Sequence, residues 1–414
     1  MKEKLFSYHW VIVAACFLLM AVSIGIIINC FNPLSVELIK DFGSAGGVQL
    51  ILTIGVLTSL LGGAIFGKIA AKFSMRIVMP VYAAMMSVGI FMWSTCSSLT
   101  TFYIVSIFVG LGASGISLVP CGALINNWFE EKKGLATGIT FTGSVAGGLI
   151  FVQLTKILLL SSDWRMVYIV LAIISAVVSI PITIFLIREH PRDKGLLPFG
   201  AKEAASTGKV WLKGISLKKY IKTGSFWLLA ISVFIIGFTN MGVQNNISIY
   251  LTSAIGHPES TVANIFSLYL FLQIFGKILL GSIYDKKGIK FGSIYCMVTF
   301  LLSMALFIYS GNLYIAIAFV VVFAMVGSMT TVAPPYVAAT IVGLKDYPTI
   351  FGVLSLFYGV GVAIGPVVAA KVYDSTGSYD QAWITFGILA MILVFTTILA
   401  VKKGKEFSQI SEET

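Results

Sequence analysis

Nearly the whole chain can be divided into about twelve consecutive stretches, each long and apolar enough to cross a bilayer as a helix. A membrane helix needs about 20 such residues. The stretches run over residues 10–32, 46–70, 77–98, 101–127, 133–160, 164–187, 223–254, 260–284, 290–310, 312–340, 347–372 and 381–401. Phe, Ile, Leu, Gly and other small residues fill them, as close helix packing in lipid requires. The ten-residue alternating strands of a membrane barrel are not seen. Only 11% of residues are charged, against about 25% in soluble domains. These observations predict an all-α membrane protein with twelve transmembrane helices in two six-helix bundles.

The net charge of +11 is an orientation signal, not a nucleic-acid footprint. Of the 28 Lys and Arg residues, 23 fall in one set of loops plus both tails, and four (Lys40, Lys156, Arg165, Lys371) in the opposite loops. Positive residues stay inside. The expected location is therefore the cytoplasmic (inner) membrane, multi-pass, with both termini cytoplasmic and some contact with anionic lipid. The five cysteines are scattered in or near spans with no metal-ligand spacing and read as apolar packing residues. No cleavable signal segment is evident.

The longest polar interval, 188–222, divides the spans six and six. The expected organisation is an N-terminal bundle over 1–188, a cytoplasmic linker over 189–222, and a C-terminal bundle with a short cytoplasmic tail over 223–414. The halves look like copies. Gly62, Gly67, Lys72, Pro120, Gly138 and Gly147 are matched by Gly276, Gly281, Lys286, Pro334, Gly352 and Gly361, all at one offset of 214 residues. Duplicated bundles of like orientation are a transporter architecture, with the solute site near the midplane between the copies.

Within the spans one residue stands apart. Lys277 is the remaining cation, inside the apolar stretch Ile265–Ile283, and no carboxylate lies in the middle of any span. A charge at membrane depth costs about 2.5–3.5 kcal/mol by insertion scales and is a functional-site candidate by default. A lone cation without a built-in acid suggests that its partner arrives from outside, as an anionic solute. Snorkelling to the nearby cytoplasmic surface is the competing reading. Amides and hydroxyls in the spans are candidate solute contacts: Asn29 in the first, Ser117 in the fourth, Asn245 and Asn246 in the seventh, with Gln273 and Tyr358 near the cation. Interhelical polar contacts are the alternative for each. No nucleophile–base pair or metal cluster is readable, so neither an enzyme nor a cofactor is expected.

After the eighth span comes Gly281-Ser-Ile-Tyr-Asp285-Lys286-Lys287-Gly288-Ile-Lys290. Gly281 allows close helix approach, Gly288 a tight turn, and Asp285 with its neighbouring cations can bridge helix ends. This resembles the signature loop of the major facilitator superfamily. Its first-half counterpart keeps Gly67 and Arg76 but has Ala71 for the acid and Ser74 for the second glycine. A narrower similarity covers nearly the whole chain. Asn127-Trp-Phe-Glu-Glu-Lys-Lys133-Gly-Leu-Ala-Thr-Gly138, Phe31-Asn-Pro-Leu34, Pro191–Gly200 and Tyr373-Asp-Ser-Thr-Gly377 are similar to the monocarboxylate transporters and the bacterial oxalate/formate antiporter group. The acidic first-span signature of the animal members is missing.

The resemblance implies that the first, fourth, seventh and tenth spans line a cavity, and that Lys277, four residues before Gly281, pairs with a solute carboxylate. Proton-coupled relatives often carry Asp where this chain has Gln273. Oxalate-type relatives carry a second cation near the position of Tyr358, which favours a monoanion here. The expected function is secondary transport of a small organic anion, most simply a monocarboxylate, by exchange or proton symport; its partners would be a proton or counter-anion and membrane lipid, with no nucleic acid, and it would act as a monomer. Alternatives are a facilitator for a neutral or cationic solute, or a membrane sensor without transport.

Overall fold

A computed structural model describes residues 7–201, 215–343 and 346–413. Lys2, Lys4, Lys345 and the middle of the predicted linker, 202–214, lie outside the described residues. Eleven described helices are long and apolar enough to cross a membrane. They are α1 (Tyr8–Phe42), α2 (Gly47–Ala70), α3 (Met75–Thr95), α4 (Leu99–Trp128), α5 (Lys133–Leu159), α6 (Trp164–Leu186), α7 (Gly224–Thr252), one 49-residue stretch (Ser260–Ile308), and then α10 (Leu313–Val342), α11 (Tyr347–Tyr373) and α12 (Asp380–Gly404). Gly288, at φ 75° and ψ 175°, breaks the 49-residue stretch in two, giving α8 before it and α9 after it. The described chain therefore has twelve helices long and apolar enough to cross, as the apolar stretches predict. A side chain at this φ would be strained, which is why glycine holds the turn.

The chain forms two compact units, Met1–Trp211 with Tyr347–Gly352, and Leu212–Asp346 with Val353–Thr414. The first turn of α11 thus groups with the first unit. Within each unit, duplicated residues do the same packing work. A Cβ on Gly147 of α5 would lie 2.3 Å from the Ala21 carbonyl of α1, and one on Gly361 of α11 would lie 2.3 Å from the Phe234 carbonyl of α7. Gly62 lets α2 meet Ser114 of α4, and Gly276 lets α8 meet the Ala324 carbonyl of α10, with hypothetical Cβ contacts of 2.4 and 2.5 Å. Backbones approach this closely only where a side chain is missing. The outer faces stay apolar: Ile77, Ile104, Val177 and Phe185 are each more than 60% exposed, as surfaces meant for lipid.

α6 ends in a π turn at Ile182–Leu186, and four further spans are interrupted. α1 opens into a π turn at Gly25–Asn29. α4 breaks between Ser114 and Leu118, and α10 at Ser328, between Gly327 and Met329. α7 breaks after Gln244 and ends in a π turn at Tyr250–Ala254. These are the first, fourth, seventh and tenth spans. Freed backbone groups at membrane depth are tolerated where protein or a water-filled cavity satisfies them.

Candidate functional site

The second unit gathers polar groups from four helices around the break in α10. Gln273 and Lys277 sit one turn apart on α8 and are 6% and 2% exposed. Gln273 Nε2 donates to the Tyr269 hydroxyl at 2.8 Å, and that hydroxyl donates to Gln244 Oε1 of α7 at 3.0 Å. Gly327, the last helical residue before the α10 break, leaves the space: a Cβ there would lie 2.8 Å from the Tyr269 hydroxyl and 3.2 Å from Gln273 Nε2. The Gly327 carbonyl accepts from the Thr330 hydroxyl at 2.9 Å, and the Tyr358 hydroxyl of α11 lies near both Thr330 and Tyr269. Gln273 and Tyr358, singled out separately in the sequence, thus belong to one cluster, with Tyr269 and Gln244 between them. Asn240 Oδ1 and Thr331 Oγ1, also in α7 and α10, are buried without a hydrogen-bond partner.

One expectation is corrected. Lys277 is buried and does not stand without a partner in the protein. Low dielectric makes an uncompensated buried charge costly, so the chain supplies company where sequence reading saw none.

The remaining candidates fall elsewhere. Asn246 is 3% exposed; its amide donates to the Gly242 carbonyl at 2.8 Å and the Pro366 carbonyl at 3.4 Å, and its oxygen accepts from Tyr379. It therefore ties α7 to α11 and to the residue just before α12. Asn245 is exposed at the α7 break. In the first unit, Asn29 donates from the π turn of α1 to the Ser144 carbonyl of α5 at 3.2 Å, and Ser117 is half-buried in the α4 break.

The signature loop differs between the copies. Around Gly288, Asp285 lies beside the hydroxyl of Tyr336 in α10, while Lys286 and Lys290 are exposed and Gly281 is buried. In the first unit Gly67 sits where a Cβ would meet the Thr349 backbone nitrogen at 2.3 Å, and Arg76 is exposed. The acid absent at Ala71 arrives from beyond α6: Glu189 Oε2 accepts from Ser74 Oγ at 3.0 Å and from the Met75 backbone N–H at 3.2 Å, at the start of α3. The segment carrying Glu189 is tied down. Trp128 and Asn127 donate to the Arg188 and Glu189 carbonyls, and Phe199 pairs with Phe129. This part of the predicted linker belongs to the first unit.

The model of the Major Facilitator Superfamily matches residues 13–256 and 229–413. The chain belongs to this superfamily. It is a multi-pass membrane transporter and not an enzyme. It is 24% identical to monocarboxylate transporter 4 of Gallus gallus over 96% of this chain and 84% of that protein. It is 23% identical to monocarboxylate transporter 12 of Rattus norvegicus over 95% of this chain and 85% of the relative. Among solved structures, the fold matches the human organic anion transporter MFSD10 with a TM-score of 0.75 at 14% identity, covering 94% of this chain and 99% of that one. The proton:xylose symporter XylE matches with a TM-score of 0.74 at 15% identity, covering 96% and 97%. At these identities the structural matches speak for the fold alone.

Proposed function

We propose that this carrier moves a small organic anion, most simply a monocarboxylate, across the cytoplasmic membrane by alternating access. The observation that carries the reading is Lys277, a cation 2% exposed inside a membrane helix, one turn from the buried amide of Gln273. Relatives named as monocarboxylate transporters over nearly the whole chain support it. Lys277 supplies the attracting charge; as a point charge it sets looser geometry than an Arg fork. Gln273 and Tyr358 supply orienting hydrogen bonds, with Asn245, Asn29 and Ser117 as further contacts at the helix breaks. The Asp285 and Glu189 contacts hold the two signature loops. Both termini face the cytoplasm by the distribution of Lys and Arg, the carrier acts as a monomer, and the missing acidic first-span signature favours the bacterial-type subgroup.

A second reading, a carrier for a neutral solute, has one observation in its favour: Gln244, Tyr269, Gln273, Thr330 and Tyr358 are all uncharged. Purified protein in vesicles decides between them. Labelled monocarboxylates, oxalate and a neutral control are offered; uptake of the monocarboxylates alone supports the proposal, and uptake of the neutral control alone defeats it. Stimulation by internal acid marks exchange, whereas dependence on an imposed pH gradient marks proton symport.

A further inference from the structure

We infer that Tyr269 is a positioning residue for the solute site. It couples the faces that the two flanking amides, Gln244 and Gln273, present to the cargo. This rests on the reading of the cargo given above.

The argument is one of hydrogen counting. A tyrosine hydroxyl has one hydrogen to give and lone pairs to receive. Placed between two amides, it can donate to only one carbonyl, so the other amide must turn its NH2 group toward it. Tyr269 receives from Gln273 Nε2 and gives to Gln244 Oε1. Gln273 Oε1 and Gln244 Nε2 are therefore the atoms left to face outward, one acceptor and one donor. Turning Gln273 alone would set two carbonyls against one hydrogen, and turning Gln244 alone would leave the hydroxyl hydrogen without its acceptor, so the hydroxyl favours one oxygen and one NH2 turned toward it.

The surroundings hold Tyr269 to this task. Its ring is fully buried and stacks on Phe323 with centroids 5.4 Å apart and planes at 20°, so the hydroxyl cannot swing away. Gly327 gives it room at the α10 break. Gln244 is the last helical residue before the α7 break. The hydroxyl therefore sits between the ends of two interrupted helices and one turn of α8 from Gln273, which is itself one turn from Lys277. The pairing was not visible in the sequence, where Tyr269 is one aromatic among many in α8. Its only signal is spacing: residues 269, 273 and 277 lie on one face of a helix.

The test uses glycolate and acetate, monocarboxylates that differ by one hydroxyl. Their binding to the purified carrier is measured by calorimetry, so that a variant arrested in turnover still reports. Wild type is expected to bind glycolate about tenfold tighter than acetate, because an ordered donor and acceptor reward the hydroxyl. Tyr269→Phe keeps the ring and removes both hydrogen bonds; the preference should fall to within about twofold while acetate affinity, which the cation carries, changes little. Gly327→Ala places a methyl against the Tyr269 hydroxyl and should reproduce the loss in a protein whose tyrosine is intact. An unchanged preference in both variants, each monodisperse in detergent, overturns the positioning role. If wild type binds neither acid, the reading of the cargo fails instead, and this inference with it.

Discussion

The two repeats share a scaffold and differ in chemistry. Helix ends coincide at the repeat offset: Leu99 and Leu313 open α4 and α10, Trp128 and Val342 close them, and Lys133 and Tyr347 open α5 and α11, each pair 214 residues apart. The glycines at the α1–α5 and α7–α11 crossings play the same part. Yet the polar cluster is not repeated at the equivalent positions of the first unit. At 214 residues before Lys277, Gln273, Tyr269 and Tyr358 stand Gly63, Ser59, Gly55 and Ser144. The duplicated backbone can be maintained by small residues at crossings, while the polar cluster around Gln273 belongs to one copy. Packing and chemistry are separable here, and each can be broken without the other.

The largest effects are expected where both copies depend on the same contact. Gly147→Leu and Gly361→Leu each force a side chain against a carbonyl 2.3 Å from the new Cβ. Each should cost about 3 kcal/mol and leave little monodisperse carrier by size-exclusion chromatography. Tolerance of one but not the other would break the equivalence of the crossings. Next comes the asymmetry. Tyr269→Phe should abolish most of the glycolate preference, whereas Gly55→Ala at the matching position meets only the Ser106 carbonyl at 3.7 Å and should change melting temperature and binding little, within about 0.5 kcal/mol.

The signature loops sharpen the contrast on a smaller scale. Glu189→Gln removes a charge-assisted acceptor from the start of α3 and should cost about 1 kcal/mol, read as a lowered melting temperature, despite lying more than a hundred residues away in sequence. The smallest effect concerns His190 beside it. Burial lowers its pKa below the ordinary 6.5, outweighing the upward pull of Glu189, with Arg192 adding to the lowering and Asp193 opposing it. A folded-state value below the unfolded one means that folding favours the neutral ring. That contribution is present above pH 6.5 and is lost as pH falls below it. His190→Gln should flatten the small decline in melting temperature on the acid side; an unchanged slope would remove His190 from the account.

Much of the scaffold was legible in the sequence, because twenty-residue apolar lengths and Gly at a constant offset are local signals. The break at Gly288 was legible too, since a positive φ between charged residues calls for glycine. The interruptions in α4, α7 and α10 were not: Ser117 and Ser328 read as polar groups in a continuous span, and only neighbouring helices decide whether the backbone bonds beside them can be released. Lys277 was legible as a charge but not in its company, since contacts across helices depend on crossing geometry. Glu189 was hidden for a similar reason. It lies in a polar interval that reads as linker, and its partner, the start of α3, is distant in the chain. Asn246 stood out as a solute contact because an amide in a span is rare, and its hydrogen bonds to Pro366 of α11 and to Tyr379, just before α12, were not visible.

The central claim is that the charge on Lys277 serves a negatively charged solute. Glycolate and glycolamide have nearly the same shape and differ in charge, so their binding to wild type and to Lys277→Gln isolates that term. The account predicts that wild type prefers glycolate by about a hundredfold and that Lys277→Gln, still monodisperse, loses nearly all of this preference while holding glycolamide as before. An equal preference for glycolate in both proteins, or a wild type that favours the amide, would contradict it.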